Sequence, residues 1–114
     1  MKLEVLERGE ANVWVRLEGR LDLKGVEEIQ LPFTVKAGRA EKPVVVDLRE
    51  VTFVGSLGIG MFVSAARSLQ LRKSRMVIFG ATPHVEDVLR IAGLDQVAAI
   101  VSTEDEARQV VAGA

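Results

Sequence analysis

Alternation of apolar and polar residues predicts a β-hairpin at the start of the chain. Residues 3–7 and 13–19 each alternate in the way that is typical of strands with one buried face, and the turn-forming segment 8–12 separates them. The residues expected to face inward are Leu3, Val5, Val13, Val15 and Leu17. Trp14 then lies on the opposite face, where it either packs under a helix or the chain terminus or leaves an exposed apolar spot for self-association as a homodimer.

Three later apolar runs predict strands that are covered on both faces. They comprise residues 44–48, residues 76–79 and the shorter, alanine-diluted run 97–101. Near-continuous apolar runs of this length are typical of buried parallel strands. We therefore expect a mixed, largely parallel sheet of four to five strands.

Helical periodicity fills the segments between these strands. Residues 57–71 place Gly58, Phe62, Ala65 and Leu69 on one face. After Thr82-Pro83, a helix cap followed by proline, the expected buried stripe is Val85, Val88, Leu89 and Ala92. After a capping box that begins at Thr103, the stripe is Ala107, Val110 and Val111.

Residues 24–40 give a weaker helical signal. Their apolar positions Val26, Ile29, Phe33 and Ala37 fit one helix face, but Pro32 is expected to bend or break the helix. The predicted order is β-β-α-β-α-β-α-β-α, an α/β fold in which about four helices flank the sheet. The 114 residues are expected to form one domain, residues 1–114.

Composition and charge exclude several functional classes. The net charge of -1 and the lack of a basic stripe argue against direct binding of nucleic acid. Without cysteine, the chain has no disulfide, thiol nucleophile or Cys-based zinc site. No apolar stretch approaches the roughly 20 residues that cross a bilayer, and the N-terminus does not resemble a signal peptide. We expect a cytoplasmic protein without membrane insertion.

One glycine-rich stretch, residues 53–60 (Phe-Val-Gly-Ser-Leu-Gly-Ile-Gly), lies between a predicted strand and a predicted helix. A phosphate-binding P-loop needs a lysine after its glycines, and a dinucleotide fingerprint needs the reverse order of glycine spacings. A nucleophile elbow needs a different arrangement of glycines around its serine, and also a base. The single histidine, His84, lacks an acidic partner in the sequence. These missing parts predict a protein that is not an enzyme and holds no cofactor or metal.

Ser56 in this stretch has two compatible interpretations. It can cap the helix while the glycines shape the turn. It can also be displayed for a kinase, because a helix N-terminus stabilises an attached phosphate through its free N–H groups and its dipole. Leu57 and Met61 would then form an apolar surface beside the serine.

Four segments, residues 19–22, 44–61, 76–80 and 88–95, resemble the STAS domain of anti-sigma factor antagonists, also called anti-anti-sigma factors. The resemblance extends over nearly the whole chain, in order and with few changes of length. It implies a STAS fold, in agreement with the element order above.

The resemblance also implies a partner-switching mechanism. In this family the unmodified protein docks onto an anti-sigma factor that is also a serine kinase, and so frees the sigma factor. The kinase phosphorylates a serine at the start of the helix after the third strand, the antagonist is released, and a phosphatase resets the cycle. Matching the motif makes Ser56 the phosphoacceptor. The expected partner-binding residues are Asp22, Gly55, Leu57, Gly58, Ile59 and Met61.

The motif departs from the family pattern at two positions. The usual string is Asp-Ser-Ser/Thr-Gly-Leu/Ile-Gly, whereas this chain has Gly55 in place of the aspartate and Leu57 in place of the second hydroxyl. Asp22 is equally well explained as a cap for the following segment. A second interpretation therefore stays open: a STAS scaffold subunit without phosphorylation, in a stressosome-like or lipid-transport complex.

Overall fold

Five strands form one mixed sheet in a computed structural model that describes residues 1–6 and 8–113. They are β1 (Lys2–Leu6), β2 (Val13–Leu21), β3 (Val44–Val54), β4 (Met76–Phe79) and β5 (Ala99–Val101). The strands lie side by side in chain order. β1 pairs antiparallel with β2, and every other neighbouring pair is parallel. The predicted mixed, largely parallel sheet is confirmed.

Four α-helices alternate with these strands in the predicted order. They are α1 (Leu23–Phe33), α2 (Ser56–Leu71), α3 (Pro83–Ile91) and α4 (Glu104–Ala112). α1, α2 and α3 bury their apolar stripes in the larger core on one face of the sheet, and α4 covers the other face. No helix in the described residues has the length and apolarity needed to span a membrane.

Pro32 changes the type of helix rather than breaking it. α1 ends one residue after the proline, and the chain continues as a π-helical segment, Thr34–Gly38. Proline removes an N–H from the helical ladder and crowds the preceding turn, so a wider turn replaces the regular one. The predicted apolar face survives this change, because Val26, Ile29, Phe33 and Ala37 are all buried.

Trp14 packs under a helix, which confirms the first of the two alternatives for this residue. Its side chain is 2% exposed and lies in a second, smaller core with Phe79 and Ala107 of α4. The Trp14 and Phe79 rings meet edge to face with centroids 6.2 Å apart. The alternative of an exposed apolar spot at Trp14 is wrong.

Four local predictions need correction. β5 begins at Ala99 and not at residue 97, because the chain is still turning there after a short 3-10 helix, Leu94–Gln96. β3 runs on to Val54, beyond the predicted end at residue 48, because its second half continues to pair with β2. Val5 is 42% exposed because it lies on the edge strand, which has a neighbouring strand on one side only. Ala92 is exposed because α3 ends at Ile91, before Gly93 turns the chain with a φ of 84°.

Candidate functional site

Two strand ends and two helix starts meet at one edge of the sheet. Leu21 at the end of β2 lies in register with Val54 at the end of β3. The backbone N–H of Gly55 donates to the carbonyl of Leu21 at 3.0 Å, which fixes the two chain exits beside each other. Asp22 and Ser56 follow these exits directly, so the sequence-predicted residues of both segments come together at this edge.

Ser56 is the first residue of α2 and not its cap. The capping position belongs to Gly55, which has an extended backbone, and the N–H of Ile59 donates to the Gly55 carbonyl at 3.0 Å. The interpretation of Ser56 as the helix cap is therefore wrong. Its side chain is exposed, and within residues 1–6 and 8–113 no hydrogen bond engages its hydroxyl.

Gly58 allows α2 to approach the strand ends closely. A Cβ atom at this position would lie 3.0 Å from Leu21 Cβ and 3.2 Å from a methyl carbon of Val54. Gly58 is buried, whereas Gly60 on the opposite face of α2 is exposed and a Cβ there would meet nothing within 4 Å. The two glycines thus differ in role: one is required by packing, and the other is free to change.

Asp22 caps α1, as the sequence allowed. Its Oδ1 accepts a hydrogen bond from the N–H of Gly25 at 2.8 Å. This bond, with the nearby positive charge of Arg20, holds the pKa of the Asp22 carboxyl below its usual range against a smaller opposing effect of burial. Gly25 cannot carry a side chain, because a Cβ would overlap the carbonyl oxygen of Arg20. A fixed negative charge therefore lies at the same edge as Ser56.

A groove of about 450 Å³ opens beside Ser56, between α2 on one side and α1 with its π-helical extension on the other. Ser56 and Leu57 lie at one end of α2, and Arg39 and Arg72 line the groove near the other. Leu57 is 52% exposed. Met61 lines the groove but is only 6% exposed, so the expectation that it shares an exposed surface with Leu57 is wrong.

Some residues at this edge were missed in the sequence. Leu23, the first residue of α1, is 60% exposed. It resembles Leu57, which is exposed at the start of α2. Leu23 lies three residues before the buried Val26, and this helical spacing predicts a buried side chain. The only sign of its exposure is its position at the very start of the helix, directly after the cap Asp22. Gln30 and Thr34 also line the groove, but nothing in the sequence distinguishes them from ordinary polar surface residues. Ile59, predicted to bind a partner, is partly buried against the core.

The described residues hold no cluster of three or more side chains that could ligate a metal. His84 is exposed at the start of α3. What this edge of the sheet offers is an exposed hydroxyl on a helix N-terminus, a neighbouring carboxylate and exposed leucine side chains.

Comparison with known families decides the classification. The family model described as Mlab, STAS domain, matches residues 5–102. The chain belongs to the STAS domain family. The family resemblance and the STAS fold expected from the sequence are therefore confirmed. Among curated proteins, an anti-sigma-B factor antagonist from Listeria monocytogenes is 27% identical over 93% of this chain and 93% of its own length.

Solved structures share the fold of this STAS domain. An anti-sigma-factor antagonist (STAS) domain protein from Planctomyces limnophilus superposes with a TM-score of 0.82 at 24% identity, covering 96% of this chain and 97% of the other. The anti-sigma factor antagonist SpoIIAA in its unphosphorylated form gives a TM-score of 0.71 at 22% identity, covering 99% and 100%. The Bacillus cell fate determinant SpoIIAA in the phosphorylated form gives 0.71 at 22% identity, covering 96% and 99%.

Proposed function

We propose that this STAS domain, residues 1–114, is an anti-sigma factor antagonist controlled by phosphorylation of Ser56. In its unmodified form it docks onto an anti-sigma factor that is a serine kinase, and so frees a sigma factor in the cytoplasm. The observation that carries the proposal is the exposed Ser56 hydroxyl at the first position of α2, with exposed Leu57 beside it. The names of the curated relatives and of the structural neighbours support it.

The place of Ser56 suits a modified serine as well as an unmodified one. A phosphate here would accept hydrogen bonds from the free N–H groups of the first turn of α2, and the positive end of the helix dipole would stabilise its charge. It would also bring about 1.5 to 2 negative charges to the docking surface at neutral pH. Those charges would lie beside the apolar Leu57 and at the same edge as the Asp22 carboxylate, which disfavours an apolar or acidic partner surface. SpoIIAA has been solved in both unphosphorylated and phosphorylated forms, which is consistent with such a switch.

In this proposal the protein is a regulator and catalyses no reaction. The anti-sigma kinase supplies the phosphate, and a serine phosphatase removes it. Six residues contribute to docking in different ways: Asp22, Gly55, Leu57, Gly58, Ile59 and Met61. Leu57 meets the partner, Asp22 holds the start of α1, and the buried Gly58 and Met61 set the position of α2.

A phosphorylation assay tests the assignment of Ser56. The purified chain is incubated with ATP and the anti-sigma kinase encoded in the same genome, and intact mass is measured. We expect the addition of one phosphate group to the natural chain and none to Ser56→Ala. Ser64→Ala is the matched control, because Ser64 is also exposed on α2 and lines the same groove. Equal phosphate on Ser56→Ala, or loss of phosphate only on Ser64→Ala, would remove Ser56 as the phosphoacceptor.

A second candidate is a STAS scaffold subunit that works without phosphorylation, in a stressosome-like or lipid-transport complex. Two observations favour it: Gly55 replaces the family's aspartate, and the matching family model is described as Mlab rather than by an antagonist's name. Affinity purification distinguishes the two. A scaffold subunit recovers a transporter or a large assembly, and its Ser56→Asp variant recovers the same partner. An antagonist recovers a kinase and loses it with Ser56→Asp.

A further inference from the structure

A second, larger cavity of about 820 Å³ lies at the end of the sheet away from Ser56. Asn12, Pro43 and Arg75, which line it, each directly precede a parallel strand of the sheet. Ser56, in contrast, follows the carboxyl end of β3. The two sites are therefore at opposite ends of the parallel strands.

Four cationic side chains line this cavity: Arg8, Lys73, Arg75 and Arg108. The described wall also contains one carboxylate, that of Glu41. Such a concentration of positive charge contrasts with the net charge of the chain, which is -1. Arginine and lysine together are the side chains that bind phosphate oxygens best, arginine through two parallel hydrogen bonds and lysine as a compact charge.

Two of these cations are held in place by their surroundings. The guanidinium carbons of Arg8 and Arg108 lie 5.1 Å and 5.0 Å from the centroid of the Trp14 ring. Both arginines also contact Glu104, at 2.8 Å and 2.9 Å. Lys73 and Arg75 have no ion pair within the described part of the chain, and both are exposed. Their charges remain available to a ligand.

Lys73 occupies a backbone conformation in which glycine is the usual residue. Its φ is 59°, in the left-handed region. Its N–H donates to Gln70 at 3.0 Å, and the N–H of Ser74 donates to Leu69 at 2.8 Å, which is the hydrogen-bond pattern of a Schellman C-cap. A lysine is thus found at a position where the fold itself favours glycine.

Ser74 adds an unsatisfied hydroxyl to the same wall. Its Oγ is buried, and no group in the described residues forms a hydrogen bond with it. A buried hydroxyl without a partner is costly, so such groups are usually satisfied by a water or a ligand.

We propose that this cavity binds a small, soluble, phosphate-bearing anion. Lys73 and Arg75 bind its phosphate oxygens directly, and Arg8 and Arg108 contribute further hydrogen bonds from their places on Trp14. The apolar side chains of Pro43 and Val111, which also line the cavity, contact the part of the ligand that carries no phosphate. The site is independent of docking at Ser56, and its presence or absence leaves the proposed function unaffected.

Trp14 provides a direct probe, because it is the single tryptophan of the chain and lines the cavity. The experiment is a tryptophan fluorescence titration with inorganic pyrophosphate at constant ionic strength. We expect a saturable change with the natural chain. Lys73→Gly and Arg75→Ala should each weaken binding by about tenfold, the usual effect of losing one charge-assisted hydrogen bond.

Lys73→Gly separates binding from folding. Glycine suits the left-handed position, so this variant should unfold at the same or a higher denaturant concentration while it loses affinity. Arg67→Ala is the matched control, since it removes one exposed charge of α2 outside the cavity and should leave the affinity unchanged. The proposal is overturned by no saturable change at pyrophosphate concentrations up to about 10 mM, by unchanged affinity in Lys73→Gly, or by an equal loss in Arg67→Ala.

Discussion

At the start of α2, one backbone hydrogen bond decides which residue caps the helix. The N–H of Gly55 is bonded to Leu21, which holds Gly55 extended and makes Ser56 the first helical residue. Local preference predicts the opposite, because serine is a better cap than glycine. The sequence located Ser56 at a strand-to-helix junction, but the shift of one residue depends on a bond to another strand. With that shift the Ser56 side chain is exposed and makes no capping hydrogen bond.

The glycines of α2 give the first prediction. Gly58→Ala should lower the free energy of unfolding by about 1 to 3 kcal/mol, because its methyl group would press on Leu21 and Val54. Gly60→Ala is the matched control on the same helix, and it should raise the free energy by about 0.5 to 1 kcal/mol, since no contact opposes the added methyl. Urea unfolding measures both. Equal effects in the two variants would contradict the packing role of Gly58.

Position 55 gives the second prediction. Gly55→Asp restores the carboxylate of the family motif at the capping position, where it can accept hydrogen bonds from the first turn of α2. The free energy of unfolding should rise by a few tenths of a kcal/mol, less any cost of moving the Phe53 ring, which a Cβ would approach to 3.3 Å.

The same variant also tests the effect of the missing acid on the switch. We expect Gly55→Asp to be phosphorylated at Ser56 faster than the natural chain, because the carboxylate can position the hydroxyl and contact the kinase. Gly55→Asn is the control that caps without the charge. A rate with aspartate no higher than with glycine would show that position 55 does not limit phosphorylation.

Among the elements, α4 is joined to the sheet by a chain of ion pairs that starts at a buried acid. Asp47 on β3 is 2% exposed and accepts two hydrogen bonds from the Arg49 side chain to Oδ2, at 2.8 Å and 3.2 Å. Arg49 lies 3.6 Å from Glu104 of α4, which in turn contacts Arg108. Gly80 is needed beside this chain, because its φ is 77° and a Cβ there would overlap the Arg49 side chain.

The two acids in this row of ion pairs, Asp47 and Glu104, give the third prediction. Burial tends to raise the pKa of Asp47, but hydrogen bonds from Arg49 outweigh it and hold the pKa below its usual range. Hydrogen bonds from Arg108 and Arg8 likewise lower the pKa of Glu104. A depressed pKa in the folded protein contributes stability above the unfolded-state value, about 3.9 for aspartate, and this stability is lost as pH falls through the folded value.

Unfolding midpoints should therefore decrease as the pH is lowered from about 5 towards 2. Asp47→Asn should lower the free energy of unfolding by about 1 to 3 kcal/mol at neutral pH, a range reduced because Arg49 is half exposed. It should also make the decrease of the unfolding midpoint with falling pH, the acid limb, less steep. Asp87→Asn, an exposed carboxylate on α3, is the control and should change neither. An acid limb as steep in Asp47→Asn as in the natural chain would show that the pair does not stabilise the fold.

Elements with strong periodicity were predictable, and those set by contacts between distant segments were not. α2 and α3 follow from their apolar stripes and α4 from its capping box, which the structure retains at Thr103. The π-helical segment after Pro32 was not predicted, since proline alone does not say whether a helix breaks or widens. Asp47 and Arg49 could have been paired, because residues two apart on a strand share a face.

Across the whole molecule, the parallel strands separate two kinds of surface. Their carboxyl ends carry Ser56, Asp22 and the exposed leucines, and their amino ends carry the cationic cavity. Of the first surface, the sequence predicted Ser56 and Leu57 within one motif and Asp22 in another segment, but it missed Leu23. It could not predict the second, because Arg8 and Arg108 come from opposite ends of the chain and meet only through Trp14 and Glu104.

In the proposed function, the start of α2 docks onto an anti-sigma kinase and a phosphate on Ser56 ends the docking. Isothermal titration calorimetry of the purified kinase with the unmodified chain and with the Ser56-phosphorylated chain measures both affinities. We predict that the unmodified chain binds and that phosphorylation weakens binding by at least about a hundredfold, through repulsion and lost apolar contact at one surface. Equal affinity of the two forms for the kinase would contradict the proposed function.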